Sequence, residues 1–202
     1  MRSLCLISLA LLSAHTLRAD DTAAIEWSPD RPLSWADFVG AVPVRADAER
    51  VAATTASLSW SYQFSLAWSA DTCTYRIESI DSAALFHPDS SWVRAGHRTD
   101  RVLEHEQGHF NITQLYRELF DKETRPMVGG PRMCRGNRQQ RATRFAEEEI
   151  AREVGSIYED VWQRYRDQQE IYDLETRHGM DSAAQSEWTA KLATQLQAAN
   201  QL

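Results

Sequence analysis

The chain has few cysteines, very few lysines and no long apolar run beyond its N-terminal segment. Three cysteines and two lysines, Lys122 and Lys191, occur among 202 residues. The 22 Lys and Arg are outnumbered by 29 Asp and Glu, which gives a formal net charge of -7. This acidic balance argues against a nucleic-acid-binding protein, which normally carries a basic patch. The sequence also lacks a phosphate-binding loop and a dinucleotide-binding fingerprint, so nothing in it favours a nucleotide-dependent enzyme.

The N-terminal segment has the pattern of a secretory signal peptide. Arg2 supplies a positive charge, the apolar run Leu4–Leu12 follows, and small residues then precede Ala19. The apolar run is too short to span a bilayer, and no second long apolar run follows. We therefore expect residues 1–19 to be removed, with cleavage after Ala14 as the alternative. Residues 20–202 would then be an exported chain that is periplasmic or secreted and has no integral membrane segment.

The expected export bears on whether the remaining cysteines form a disulfide. Cys5 lies in the signal segment, so Cys73 and Cys134 are the only cysteines of the exported chain. An even pair in an oxidising compartment usually forms one disulfide, and this bond is the prediction here. The alternative is two buried free thiols.

The first half of the exported chain has the period-two pattern of strands. Apolar and polar residues alternate strictly through Leu58–Phe64. They alternate also through Cys73–Ile80, and the link between the two runs fits a hairpin. Ala83–Phe86 is predicted as a third, short strand. The sheet part is expected to cover about residues 25–95.

The second half changes to helical spacing. Asp100 is predicted to cap a first helix that runs to about Phe120, and the glycine- and proline-rich segment 126–136 is predicted as a loop. A long helix is expected from near residue 137 towards Glu175, with Gly179 ending it, and a last amphipathic helix follows. The helical part covers about residues 98–200, so the fold class is α+β, a small antiparallel sheet followed by long helices in one domain.

The segment His105-Glu106-Gln107-Gly108-His109 is the most informative motif. On a helix, positions i and i+4 share one face, so both imidazoles can bind one metal ion. Glu106 can then act as general base on a water activated by zinc. The alternative is two surface or capping histidines on an ordinary amphipathic helix.

A catalytic zinc ion needs a third protein ligand and an open position. Helix lengths and the reach of the 126–136 loop leave several downstream residues possible without choosing among them. These candidates are Glu147, Glu148, Glu149, Glu153, Asp173, Glu175 and His178.

The chain resembles a bacterial family of exported zinc-dependent proteases of otherwise unknown function. The resemblance covers nearly the whole exported chain. It is carried by four segments, 31–40, 91–93, 103–112 and 172–179, and by Gln185 and Trp188 beyond them. The pairing of the histidine motif with Thr176-Arg177-His178-Gly179 is its specific part. Members typically carry Asp where this chain has Asn111, a change that spares the ligands.

The resemblance implies a zincin-like metallopeptidase fold over residues 20–202. It implies zinc as the cofactor, with His105, His109 and His178 as ligands and Glu106 as the catalytic base. The implied substrate is a peptide or protein. Tyr172 falls in the second signature and is interpreted as a packing residue rather than an oxyanion donor.

Two functions of different classes follow as hypotheses. The first is a zinc metallopeptidase that hydrolyses a peptide bond or a related amide, such as a peptidoglycan cross-bridge. The second is a non-catalytic zinc-binding module that interacts with the cell envelope. Glu106 favours the enzyme, because a purely structural zinc site has no use for a general base.

Overall fold

The computed structural model describes residues 23–69, 72–136 and 138–199. The predicted signal peptide, residues 1–19, lies outside the described residues. Within these ranges a small antiparallel sheet precedes long helices, as predicted, and the fold class is α+β. None of the described helices is both long and apolar enough to cross a membrane.

One long hairpin forms most of the sheet. The described strands are β1 (Ile25–Glu26), β2 (Ala52–Ala53), β3 (Ala56–Ser69), β4 (Thr72–Phe86), β5 (Trp92–Val93) and β6 (Arg132–Met133). β3 and β4 pair along their whole length, and β1 and β6 add to opposite ends of β4. β2 and β5 form a separate antiparallel pair, and β2 contacts the helix Asp100–Thr124.

The alternating pattern predicts the hairpin well because one of its faces is buried under helices. Leu58 is buried, and the aromatic residues of β3 that follow at every second position pack against the same core cluster. Two details differ from the prediction. Ala83–Phe86 is the end of β4 rather than a third strand, and the register shifts between Gln63 and Phe64, where an irregularity interrupts the pairing.

Three helices follow the sheet: α1 (Asp100–Thr124), α2 (Gln139–Thr176) and α3 (Ser182–Ala199). Thr99, not Asp100, is the N-cap of α1, and its hydroxyl accepts a hydrogen bond from the Val102 amide. α2 is one continuous helix of 38 residues. α1 contacts the hairpin, α2 and α3, so its middle lies at the centre of the molecule.

The segment between α1 and α2 carries the chain to the turn of the hairpin. The Gly129 amide donates to the Ile77 carbonyl, and β6 then pairs with Thr74 and Tyr75. The predicted disulfide joins Cys73 and Cys134, whose Cα atoms are 5.3 Å apart. α2 therefore starts beyond the end of α1 and runs back along it, which brings the far end of α2 to the middle of α1.

Candidate metal centre

Helix α1 presents two histidines and a glutamate on its inward side. His105 is 4% exposed and Glu106 is 3% exposed. His109 lies one turn after His105, and the Nε2 atoms of the two rings are 3.2 Å apart. The i, i+4 spacing thus brings two imidazole nitrogens to one point in the protein interior.

Asp173, near the end of α2, meets this pair. Its Oδ1 atom lies 3.1 Å from Nε2 of His105 and 3.0 Å from Nε2 of His109. The three side chains form a group that could hold a metal ion, with ligand atoms all within 4.8 Å of one another. Asp173 was one of several residues that the sequence left open as the third ligand.

Two glutamines fix the orientation of the imidazole rings. The Gln185 Oε1 atom from α3 lies 3.1 Å from Nδ1 of His105. Oε1 of Gln169 from α2 contacts Nδ1 of His109 in the same way, and the Gln169 amide donates to the His109 carbonyl. An amide oxygen only accepts, so each Nδ1 carries the proton and each Nε2 keeps a lone pair.

This arrangement leaves three acceptor atoms facing one another. With both Nε2 atoms unprotonated, they and Asp173 Oδ1 are separated by 3.0 to 3.2 Å with no hydrogen between them. Such atoms repel unless a cation lies among them, which is either an added proton or a metal ion. The contacts of the glutamines therefore favour a cation among these three atoms, a group that could hold a metal ion.

The donor set fits zinc. Two imidazole nitrogens and one carboxylate oxygen are ordinary zinc ligands, bound at about 2.0–2.2 Å. Tetrahedral geometry at that bond length places ligand atoms roughly 3.3 Å apart, close to the 3.0 to 3.2 Å separations found here. The same chemistry would also suit other borderline divalent metals, so the donor set alone does not name the ion.

Glu106 lies beside this cluster with a free carboxylate oxygen. Its Oε2 atom is buried and has no hydrogen-bond partner among the described residues. Glu106 lines a cavity of about 350 Å³ together with His105, His109 and Asp173. Its backbone carbonyl accepts a hydrogen bond from the Thr54 hydroxyl, which ties α1 to the segment that forms the opposite wall. A buried carboxylate oxygen without a partner is costly for folding, and in this cavity it is free to bond to a water molecule or a ligand.

His178 lies at the edge of the cluster. It follows the end of α2 in a left-handed conformation, φ 53°, and its side chain is 53% exposed. Its Nδ1 atom is 3.3 Å from Asp173 Oδ1, yet the compact group of ligand atoms comprises Asp173 with the two motif histidines. The role of His178 as third ligand stays a prediction.

The other downstream candidates have contacts elsewhere. Glu149 and Glu153 pair with Arg152 and Arg132. A carboxylate oxygen of Glu175 accepts a hydrogen bond from the Trp188 indole at 2.8 Å. Neither they nor Glu147 and Glu148 belong to the group of ligand atoms around His105.

Tyr172 packs against His105. Its ring stacks on the His105 ring at 4.8 Å with an angle of 13° between the planes. Its hydroxyl donates to the His105 carbonyl and accepts from the Gln185 amide. The hydroxyl is therefore engaged inside the protein, in agreement with the packing interpretation made from the sequence. Burial raises the pKa of this phenol.

Two glycines allow the elements to approach this closely. A Cβ atom on Gly108 would lie 2.1 Å from the Tyr172 hydroxyl, so α1 and α2 can pack here only with glycine. Gly179 has φ 75°, and a Cβ atom there would lie 2.9 Å from Cβ of His105. Gly108 within the motif and Gly179 after His178 thus have packing roles beside the cluster.

The charges of the site shift two pKa values. Burial alone would raise the pKa of Asp173, but in the metal-free protein the contacts with His105 and His109, which need an added proton, outweigh burial and hold this pKa well below its usual range. Burial alone would lower the pKa of His109, yet the hydrogen bond to Asp173 and the charge of Glu106 raise it overall. Arg50 also pairs with the second oxygen of Asp173, Nη2 to Oδ2 3.0 Å. The Asp173 carboxylate therefore stays ionised, as a metal ligand must.

Asn111 faces away from the cluster. Its Oδ1 atom accepts from the Trp27 indole and from the Gln107 amide, both at 2.9 Å. Gln107 in turn accepts from the Leu33 amide at 2.7 Å. Asn111 and Gln107 therefore anchor the N-terminal segment on α1 and make no contact with the ligand atoms.

No family model, curated protein or solved structure matches the chain.

Proposed function

We propose that this protein is an exported zinc-dependent hydrolase that cleaves a peptide bond or a related amide. The observation that carries the proposal is the convergence of His105, His109 and Asp173 beside the buried carboxylate of Glu106. The predicted disulfide between Cys73 and Cys134 is consistent with export to an oxidising compartment.

The residues that would hold zinc are His105 and His109 through Nε2 and Asp173 through Oδ1. A bound zinc ion lowers the pKa of a water molecule to near neutrality and polarises a carbonyl group. Gln185 and Gln169 keep both imidazoles in the tautomer that can ligate, and Arg50 orients the Asp173 carboxylate through its other oxygen.

Glu106 is proposed as the general base. Its free Oε2 atom takes a proton from the attacking water as the water oxygen bonds to the amide carbon. The same carboxyl then returns the proton to the departing nitrogen as the carbon–nitrogen bond breaks. The charge on Glu106 is restored, and the products are an acid and an amine.

A non-catalytic zinc-binding module is the competing proposal. It would use the same ligands, and the protein would then need them only for stability or for contact with an envelope partner. Glu106 again favours the enzyme, because a structural site gains nothing from a buried carboxylate oxygen without a partner. The amide of a peptidoglycan cross-bridge is a substrate that the same chemistry would cleave.

The first test measures metal content in the wild type and in single variants of residues 20–202. Asp173→Ala is expected to lose zinc as completely as His109→Ala, while His178→Ala retains more, because its side chain is half exposed at the edge of the cluster. Equal loss in Asp173→Ala and His178→Ala would restore the assignment of His178 that the resemblance implies. No zinc in the reconstituted wild type would contradict the proposal.

The second test separates the enzyme from the module. Glu106→Gln is expected to keep its zinc and to lose hydrolysis of unfolded protein substrates and peptidoglycan fragments by at least about 100-fold. Glu104→Gln, one residue before the motif, is the matched control and keeps both. Zinc binding in the wild type without cleavage of any of these substrates would favour the module.

A further inference from the structure

The arginines of the chain are unevenly placed. Residues 124–146 contain six of the 22 Lys and Arg and none of the 29 Asp and Glu. This segment leads from the end of α1 through the disulfide and into the first two turns of α2. The net charge of -7 therefore conceals one positive region in an otherwise acidic protein.

Most of these arginines have no acidic partner. Arg132 pairs with Glu153. In contrast, Arg135, Arg138, Arg141 and Arg144 are exposed and make no salt bridge with any described residue. Arg135 lies over the Phe145 ring at 5.7 Å, which holds one guanidinium at the surface. Glu148 lines the same small cavity as Arg141 and Arg144, but the group of four arginines keeps a net positive charge that would attract an anionic partner.

Exposed apolar side chains lie at the same end of the molecule. Trp68 is 42% exposed and pairs across the hairpin with Cys73, which is bonded to Cys134. Met133 is 65% exposed and pairs with Thr74. Cys73 and Thr74 are neighbours in β4, so the side chains of Trp68 and Met133 point to opposite faces of the hairpin end. The disulfide ties that end to the segment that contains Arg135, so apolar and basic residues lie at one end of the molecule. We call this set the disulfide-end surface: Trp68, Met133, Arg135, Arg138, Arg141 and Arg144.

We propose that the disulfide-end surface docks the protein on a bilayer of anionic phospholipids. Arginines are attracted to the negative headgroups, and a half-exposed tryptophan and a methionine suit the boundary between headgroups and acyl chains. A soluble acidic partner would use the arginines but would give no role to Trp68 and Met133. The positive end of α2 adds to the attraction, because no side chain caps its first turn.

This surface is separate from the proposed hydrolase site. The metal cluster is formed by the middle of α1 and the last turns of α2, whereas the disulfide-end surface includes the start of α2. Zinc content and hydrolysis are therefore expected to be unchanged when the arginines are replaced. Membrane docking and the proposed function can fail independently.

The test is sedimentation of residues 20–202 with vesicles of phosphatidylcholine, with or without phosphatidylglycerol. The triple variant R138Q/R141Q/R144Q is compared with R45Q/R98Q/R101Q, which removes the same charge from exposed arginines outside the disulfide-end surface. We expect the wild type to bind only the anionic vesicles and to dissociate in about 1 M salt, where the screening length is about 3 Å. The first triple variant should lose roughly 100-fold in affinity, at about fivefold per arginine, and the control little.

Two variants of Trp68 test the apolar part of the surface. Trp68→Ser is expected to weaken vesicle binding while Trp68→Phe restores most of it, and neither change alters the dependence on salt. Equal loss in both triple variants, or binding to vesicles of phosphatidylcholine alone, would overturn the proposal. Tighter binding to heparin or to duplex DNA than to anionic vesicles would overturn it too, because it would identify a soluble polyanion as the partner.

Discussion

Gln185 on α3 contacts Nδ1 of His105 on α1 at 3.1 Å, although 80 positions separate the two residues. The same amide group donates to the Tyr172 hydroxyl on α2 at 2.8 Å. The buried side chain of Gln185 therefore joins all three helices beside His105. The Gln185 oxygen sets the tautomer of His105. The Gln185 nitrogen holds the Tyr172 ring, which stacks on the His105 ring.

Replacement of Gln185 should weaken zinc binding without removing a ligand. Gln185→Ala removes the amide oxygen that accepts from Nδ1 of His105 and the amide nitrogen that donates to the Tyr172 hydroxyl, both in a buried site. We expect a 10- to 100-fold loss of zinc affinity and about 1–3 kcal/mol less free energy of unfolding. Competition with a zinc chelator and urea denaturation measure the two effects. Gln195→Ala, exposed on the same helix, is the control, and equal effects in both variants would contradict the role of Gln185.

Two glycines in helices should respond to alanine in opposite directions. A Cβ atom at Gly108 would lie 2.1 Å from the Tyr172 hydroxyl, while one at Gly155 has nothing within 4 Å. Gly108→Ala is expected to lower the free energy of unfolding by about 3 kcal/mol. Gly155→Ala should raise it by roughly 0.5–1 kcal/mol, since alanine favours the helix. Chemical denaturation of both variants tests this contrast, and a neutral Gly108→Ala would show that α1 and α2 are less closely packed.

Removal of the disulfide should destabilise the end of the molecule where α2 begins. Cys73 and Cys134 are 61 positions apart, so the bond closes a long loop in the unfolded chain. The double variant C73S/C134S is expected to lose about 2–4 kcal/mol of unfolding free energy. The wild type should show the same loss in reducing buffer, and the variant should not respond to the reductant. Two alkylatable thiols in the oxidised, denatured wild type would rule out the bond.

The metal-free protein should lose stability as the pH rises above neutrality. The pKa of His109 is raised in the folded state, so its proton stabilises the fold below the unfolded pKa, about 6.5. That contribution is lost as the pH rises through the folded pKa. In the proposed site zinc would take the place of the proton, so zinc affinity should increase over the same range.

Thermal unfolding from about pH 6 to about pH 9, with a chelator or with zinc, measures this dependence. The metal-free melting temperature should fall across the range, and the zinc-loaded protein should stay nearly constant. His109→Gln is the control, because it lacks the titrating group and should flatten the metal-free curve. A parallel fall in the loaded and metal-free proteins would contradict competition between zinc and a proton.

The sequence predicted those parts of the site that depend on local geometry. His105, Glu106 and His109 share one helix, and the helical period alone places the two imidazoles together. The hairpin followed from alternation over a buried face, and the disulfide followed from an even cysteine count in a chain that is predicted to be exported. The helical period and the strand alternation are patterns over a few neighbouring residues, and the cysteine count is a matter of composition. All three can therefore be recognised in the sequence alone.

The third member of the cluster depends on long-range geometry that the sequence does not encode locally. Asp173 reaches His109 because the segment before α2 first follows β4 to the hairpin turn. A tight return would have brought residues near Glu149 there instead. The register shift after Gln63 also has no local signal. Gln169 was overlooked because a glutamine within a polar helix is usually solvated, and only the packed helices show its contact with His109.

The length of α2 sets the height at which the proposed hydrolase would work. Asp173 lies 34 positions after Gln139, the first residue of α2, and an unbroken helix of that length spans about 50 Å. If α2 stands upright on a bilayer, the residues proposed to be catalytic are held well above the headgroups, near the end of α2 that lies farther from the membrane. Amide bonds in the polymer or protein layer next to the membrane would then be within reach, while bonds at the lipid surface would lie too low.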